Sequence, residues 1–149
     1  MTTGYSKETV GVLDGTLNVA AKHNGIFEQA KVRVFVATFD LSLATVAKNS
    51  GDTNVCFRIP RSHKVLYGYL LASVTMGASA TIAVGNATTA GKYRAAAVQT
   101  GTDAPAFFML SAAEQADPLT AHEDVLITIG TANLPSTGIL QVVMFASAR

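Results

Sequence analysis

Lys31-Val32-Arg33-Val34-Phe35-Val36-Ala37-Thr38-Phe39-Asp40-Leu41-Ser42-Leu43 is the stretch whose pattern decides the fold class. In an extended chain, side chains alternate between two faces. Val32, Val34 and Val36 then share one face, and Phe35, Phe39, Leu41 and Leu43 take the other. Both faces are apolar, so the stretch reads as a strand covered on both sides, or as a strand at a subunit contact.

Downstream, Asn49-Ser50-Gly51-Asp52 is a turn cluster. Val55, Phe57 and Ile59 alternate with Asn54, Cys56 and Arg58 as a half-buried strand that Pro60 stops. Val65 to Thr75 is a long strand, with Val65, Tyr67, Tyr69 and Leu71 on one face and Leu66, Leu70 and Val74 on the other. Gly68 within it signals a bulge or a close backbone approach. The spacing over Thr75-Met76-Gly77-Ala78-Ser79 predicts a hairpin into a short strand through Ala80, Ile82 and Val84 to Gly85.

Helix propensity rises from Thr88 to Val98, around Ala90 and Ala95-Ala96-Ala97, and predicts a turn or two of helix. Pro105 precedes a short buried strand, Phe107-Phe108-Met109-Leu110, and Ser111 to Ala116 suits a helical turn that Pro118 ends. Val125, Ile127 and Ile129 form a strand closed by Gly130. The loop Asn133-Leu134-Pro135-Ser136-Thr137-Gly138 then leads into Ile139 to Ala146, which reads as a C-terminal hairpin. Six to eight strands with little helix predict a mostly β chain, a β-sandwich or jelly-roll-like barrel.

Residues 1–30 are different. Gly4, Gly11, Gly15 and Gly25 punctuate them, with turn pairs Asp14-Gly15 and Asn24-Gly25 and a possible short helix from Leu17 to Lys22. Two readings fit: a loosely structured edge, or an extended arm that orders on a neighbouring subunit. The arm reading divides the chain into an N-terminal arm, 1–30, and a β-domain, 31–149. It makes Tyr5, Val10, Val12, Leu13, Leu17, Ile26 and Phe27 the expected partner interface.

Composition points the same way. Of 149 residues 49% are hydrophobic and 14% charged, against about 25% charged in an average soluble domain, so some surface is expected to meet other protein. Eleven basic and ten acidic residues leave a formal charge of +1, which gives no electrostatic footprint for nucleic acid. The densest basic stretch, Arg58, Arg61, His63 and Lys64, is too sparse for a phosphate site. No apolar run approaches the ~20 residues of a spanning helix, and the first residues lack a signal-peptide pattern. The expectation is a chain made in a cytoplasm, with no membrane partner.

Catalysis finds no foothold in the residues. His23, His63 and His122 lie on separate segments without metal-ligand spacing, and the lone Cys56 rules out cysteine-built zinc sites and intrachain disulfides. Cys56 with His63 or His122 could form a thiol nucleophile and base, but Cys56 sits inside a strand pattern and reads as a small packed residue. Gly91-Lys92 is followed by Tyr93, so no phosphate-binding loop is completed. The carboxylates available to a hydrolase are Asp40, Asp52, Glu123 and Asp124. The expectation is a non-enzyme with no cofactor, no metal and no small-molecule substrate.

Val34-Phe35-Val36-Ala37-Thr38-Phe39-Asp40-Leu41, then Gly51-Asp52-Thr53 and Arg58-Ile59-Pro60, resemble small structural proteins of tailed-phage head modules. So do Ala80-Thr81-Ile82-Ala83-Val84-Gly85-Asn86-Ala87, Lys92-Tyr93-Arg94-Ala95-Ala96, Leu119-Thr120-Ala121 and Leu134-Pro135-Ser136-Thr137-Gly138. The resemblance covers about residues 31–146. One departure is that such proteins tend to carry Lys-Gly after the proline, where this chain has Arg61-Ser62. The resemblance implies a capsid decoration, or cement, protein: β-rich, on the outside of the virion head, bound to the major capsid protein and often trimeric. A different virion role competes with it, a tail- or fibre-associated β-domain with a host-glycan or adaptor-binding role, with Tyr67 and Tyr69 as a sugar platform.

Overall fold

The computed structural model describes residues 32–110 and 117–148. Within them the chain forms eight strands and no helix. These are β1 (Val32–Asp40), β2 (Thr53–Ile59), β3 (His63–Ala72), β4 (Thr81–Gly85), β5 (Arg94–Val98), β6 (Ala106–Phe108), β7 (Glu123–Gly130) and β8 (Ile139–Ala148). All eight belong to one compact unit, Val32–Ala148. They make two antiparallel four-stranded sheets, β1-β8-β3-β6 (sheet A) and β2-β7-β4-β5 (sheet B). The pairing is nested: β1 with β8, β2 with β7, β3 with β6 and β4 with β5.

The period-two pattern explains why the sheets share a core. In β8, Leu140, Val142, Met144 and Ala146 point inward and are fully buried. In β7, Val125, Ile127 and Ile129 do the same, and Leu70, Ile82 and Val84 join them in one hydrophobic cluster. Each fully buried Leu or Ile contributes roughly 1.5–3 kcal/mol. Phe35 on β1 and Phe57 on β2 link the two sheets, ring centroids 5.6 Å apart.

Two bulges reverse faces that a strict alternation would assign. The β2–β7 register shifts between Val55 and Phe57. Phe57 and Ile59 therefore pack inward while Val55 stands 65% exposed, so the three residues do not share one face as the alternation predicts. In β3 the shift falls between Val65 and Tyr67. Val65 turns inward with Leu70 and Ala72, and Tyr67, Tyr69 and Leu71 turn outward. Gly68 provides the close approach expected of it: a Cβ there would lie 2.6 Å from the Val143 carbonyl oxygen and 2.7 Å from the Phe108 ring.

Four local expectations are changed by tertiary pairing. The alanine-rich run predicted to be helical is edge strand β5, because β4 offers it a ladder and Arg94 donates to the carbonyls of Ile82, Ala97 and Val98. The predicted β3–β4 hairpin and C-terminal β7–β8 hairpin are both crossovers between sheets. Their connections, residues 73–80 and 131–138, bridge the ~10 Å between packed sheets. The first connection also meets the start of β8, since Ser73 donates its N–H to the Ile139 carbonyl. The expected buried strand at Phe107 to Leu110 shortens to β6, where Phe108 is buried but Phe107 and Met109 are each 66% exposed. The helical turns expected at 17–22 and 111–116 lie outside the described residues.

Candidate protein-binding face

The two sheets turn different outer faces to solvent. On sheet B the central outward positions are small or polar, with Thr53 and Thr128 as register partners and Ala83 beside Thr128, while the exposed apolar side chains, Val55 and Val98, sit on the edge strands β2 and β5. Arg58 and Asp124, also register partners, form a two-point ion pair with Nε–Oδ1 at 2.6 Å and Nη2–Oδ2 at 2.8 Å. The guanidinium holds the Asp124 carboxyl below its ordinary value.

Sheet A differs. β1 presents Val32, Val34 and Val36, each 54–56% exposed. Pairing sets Val34 beside Phe145 and Val36 beside Val143 on β8. On the far side of β8, Tyr67 pairs with Phe145 and Tyr69 with Val143, and Phe107 on β6 pairs with Tyr69. Tyr67 stacks on Phe145 with centroids 4.5 Å apart, and Tyr69 meets Phe107 edge-on at 5.7 Å. Thr38 and Gln141 are polar side chains within this field, and Gln141 spends its amide on Thr38 at 3.2 Å. The result is an aromatic and valine surface across four strands, with its charges, Asp40 and Lys64, confined to its two ends. Contiguous exposed apolar patches of this kind mark protein contacts on soluble domains.

The expected interface residues Tyr5, Val10, Val12, Leu13, Leu17, Ile26 and Phe27 all lie outside the described residues. The exposed valines of β1 fit the subunit-contact alternative read from its two apolar faces. Phe107, Phe145 and Val143 were missed, because only the non-local β3–β8–β6 register brings them beside Tyr67 and Tyr69.

The residues weighed for catalysis are engaged in structural bonds. Burial pushes the Cys56 thiol up to about 12, the reverse of an activated nucleophile. Both histidines meet the Arg61 backbone: His63 Nδ1 lies 3.3 Å from its carbonyl oxygen and His122 Nδ1 accepts its N–H, while the His63 ring also meets Phe35 edge-on. Asp40 accepts from the Ser42 N–H and hydroxyl, which lowers its pKa, and Asp52 accepts from the Asn49 N–H. Glu123 accepts from Lys92 Nζ at 2.5 Å, from Asn86 Nδ2 at 2.9 Å and from the Tyr93 hydroxyl. Burial alone would raise its pKa, but these donors outweigh burial and hold the carboxyl below its ordinary value. Burial and then the bond to Glu123 raise the Tyr93 hydroxyl. Lys92 also borders an open recess of about 290 Å³ lined with Val65, Leu110, Pro118 and Leu119. Among the described residues no three His, Cys, Asp or Glu side chains converge as metal ligands, and no helix could cross a membrane.

No family model matches the chain, and no curated protein matches its sequence. Solved structures that match its fold include three from phage capsids. A chain of the cyanophage Pam1 capsid asymmetric unit is 19% identical with a TM-score of 0.60, over 80% of this chain and 86% of that one. A chain of the Ralstonia phage GP4 capsid is 14% identical with a TM-score of 0.57, over 78% and 85%. A chain of the acid-stable capsid of Helicobacter pylori bacteriophage KHP30 is 15% identical with a TM-score of 0.53, over 76% and 86%. The two-sheet fold is thus one found in chains of phage capsids.

Proposed function

We propose that this chain is a structural protein of a phage virion that binds the outside of the capsid lattice and stabilises it by bridging capsomers. The observation that carries the reading is the aromatic and valine outer face of sheet A, set on a fold shared with phage capsid chains. The nested strand order supports reading that fold as a jelly-roll sandwich. A face of Val34, Val36, Tyr67, Tyr69, Phe107 and Phe145 gains about 25 cal/mol for each Å² it buries on a partner, and many copies multiply a modest contact. The partner is the major capsid protein, with self-association as a trimer at local threefold positions. Residues 1–30 act as an arm reaching a neighbouring subunit through Tyr5, Val10, Val12, Leu13, Leu17, Ile26 and Phe27. The protein is made in the host cytoplasm, acts without a cofactor and catalyses no reaction.

A second reading, a tail- or fibre-associated domain that binds host glycans or an adaptor, draws support from the exposed rings of Tyr67 and Phe107. Sugar binding also needs hydrogen-bonding groups around the rings, and the amide at hand, Gln141, is already engaged with Thr38. Cryo-electron microscopy of virions tests both readings. Density for this fold on the outer capsid surface supports decoration, whereas density on the tail overturns it in favour of the second.

A further inference from the structure

Four strands form the edges of the two sheets: β1 and β6 in sheet A, β2 and β5 in sheet B. Natural sheets protect their edges against pairing with other chains by shortness, bulges, charges or proline. Here β6 is three residues long. β2 carries a bulge and Arg58, and β5 is short, irregular in register and braced by Arg94. β1 is neither short nor bulged and has no proline. It runs nine residues in unbroken register with β8, without proline or lysine, and its charges are confined to Arg33 near one end and Asp40 at the other. β8 is its one strand neighbour among the described residues.

We propose that the β1 edge pairs antiparallel with β1 of a second copy of this chain, about a two-fold axis through Val36. The strand matches itself there. Val36 is the midpoint of Val32–Asp40, so this register pairs every residue of the strand, while centring on Ala37 leaves Val32 and Arg33 unpaired. A register centred between residues would set inward side chains against outward ones. About Val36, Val34 lies opposite Thr38 of the partner subunit and bulky Phe35 opposite the small Ala37 of the partner subunit, with Arg33 opposite the partner's Phe39 and Val32 opposite the partner's Asp40 at the two ends. Such a contact is isologous and closes on itself. This explains how an undefended edge persists without leading to fibres, which pairing with an arbitrary extended chain does not. The valine stripes of the two copies then merge into one surface, and copies in neighbouring threefold clusters gain a link. The inference stands apart from the virion reading, because it is tested in solution without capsids.

The experiment uses the full chain with single cysteines added by Val34→Cys, Val36→Cys and Thr38→Cys. Cys56 stays in place, since burial keeps it a thiol. Under mild oxidation Val36→Cys forms a disulfide-linked pair, and so does an equilibrated mixture of Val34→Cys with Thr38→Cys. Val34→Cys alone and Thr38→Cys alone do not. Val36 is 54% exposed, so Val36→Lys leaves the circular dichroism spectrum unchanged while it sets like charges across the axis. It loosens self-association by about tenfold or more and halves the mass seen in sedimentation. A wild-type chain that sediments as a monomer, an assembly indifferent to Val36→Lys, or cross-linking by Val34→Cys alone overturns the proposal.

Discussion

Glu123→Gln isolates the polar cluster that anchors the start of β7. In the wild type one carboxylate accepts from Lys92 and Asn86 on Oε2 and from the Tyr93 hydroxyl on Oε1, with the Glu123 side chain only 15% exposed. A glutamine amide keeps a single acceptor oxygen, so donors are left facing an NH₂ group and Lys92 loses its counter-charge. Each buried donor left unsatisfied costs about 1–3 kcal/mol, and the quarter-exposed Lys92 recovers part of its loss in water. The net is about 2–4 kcal/mol, or roughly 10 °C in the thermal midpoint of a domain of this size. The pH dependence is the sharper test. The folded pKa of Glu123 lies below its ordinary 4.5, so the stabilisation is complete above the unfolded value and is lost as pH falls through the folded one. The gap between wild type and variant, measured by urea unfolding, is flat from about pH 5 to 8 and closes below about pH 4. Asp40 and Asp124 are also held low, but they are common to both proteins and cancel. A variant within 0.5 kcal/mol of wild type (roughly the scatter of surface substitutions), or a gap that persists into acid, refutes the reasoning.

Three further outcomes follow from the same geometry. Ser62 holds a left-handed backbone, φ 67°, which favours glycine; Ser62→Gly raises stability by up to about 1 kcal/mol in denaturant unfolding. Gly68→Ala drives a methyl into the Val143 carbonyl and the Phe108 ring, and lowers stability by about 1–3 kcal/mol in the same assay. Cys56, pushed from 9.0 to about 12, has about a thousandfold less thiolate near neutral pH than a free cysteine; alkylation is silent in native protein and rapid in urea.

The period-two pattern carried much of the fold because local alternation and burial agree in β1, β7 and β8. It failed where a partner strand decides. The inserted residues at the β2 and β3 bulges reverse Val55 and Tyr67 relative to a strict alternation, and a bulge is settled by register with a distant strand. Ala95-Ala96-Ala97 has helical propensity of a few tenths of a kcal/mol per residue, which a ladder to β4 outweighs. The apparent hairpins failed because a turn signal marks where the chain reverses and not which sheet it enters. For the binding face, the exposed valines were legible as one apolar side of β1. The aromatic half was not, since Tyr67, Phe107 and Phe145 come from β3, β6 and β8 and meet only through register.

The most direct test of the central claim is co-sedimentation of full-length protein with expanded phage heads that lack it. Phe107→Glu and Tyr67→Glu place charge on the exposed face of sheet A without entering the core, and Val55→Glu does the same from the edge of sheet B. With all three variants as folded as wild type by circular dichroism, the sheet A variants leave the heads bare while Val55→Glu decorates them fully. Full decoration by Phe107→Glu and Tyr67→Glu, or its loss with Val55→Glu alone, contradicts the assignment of the binding face.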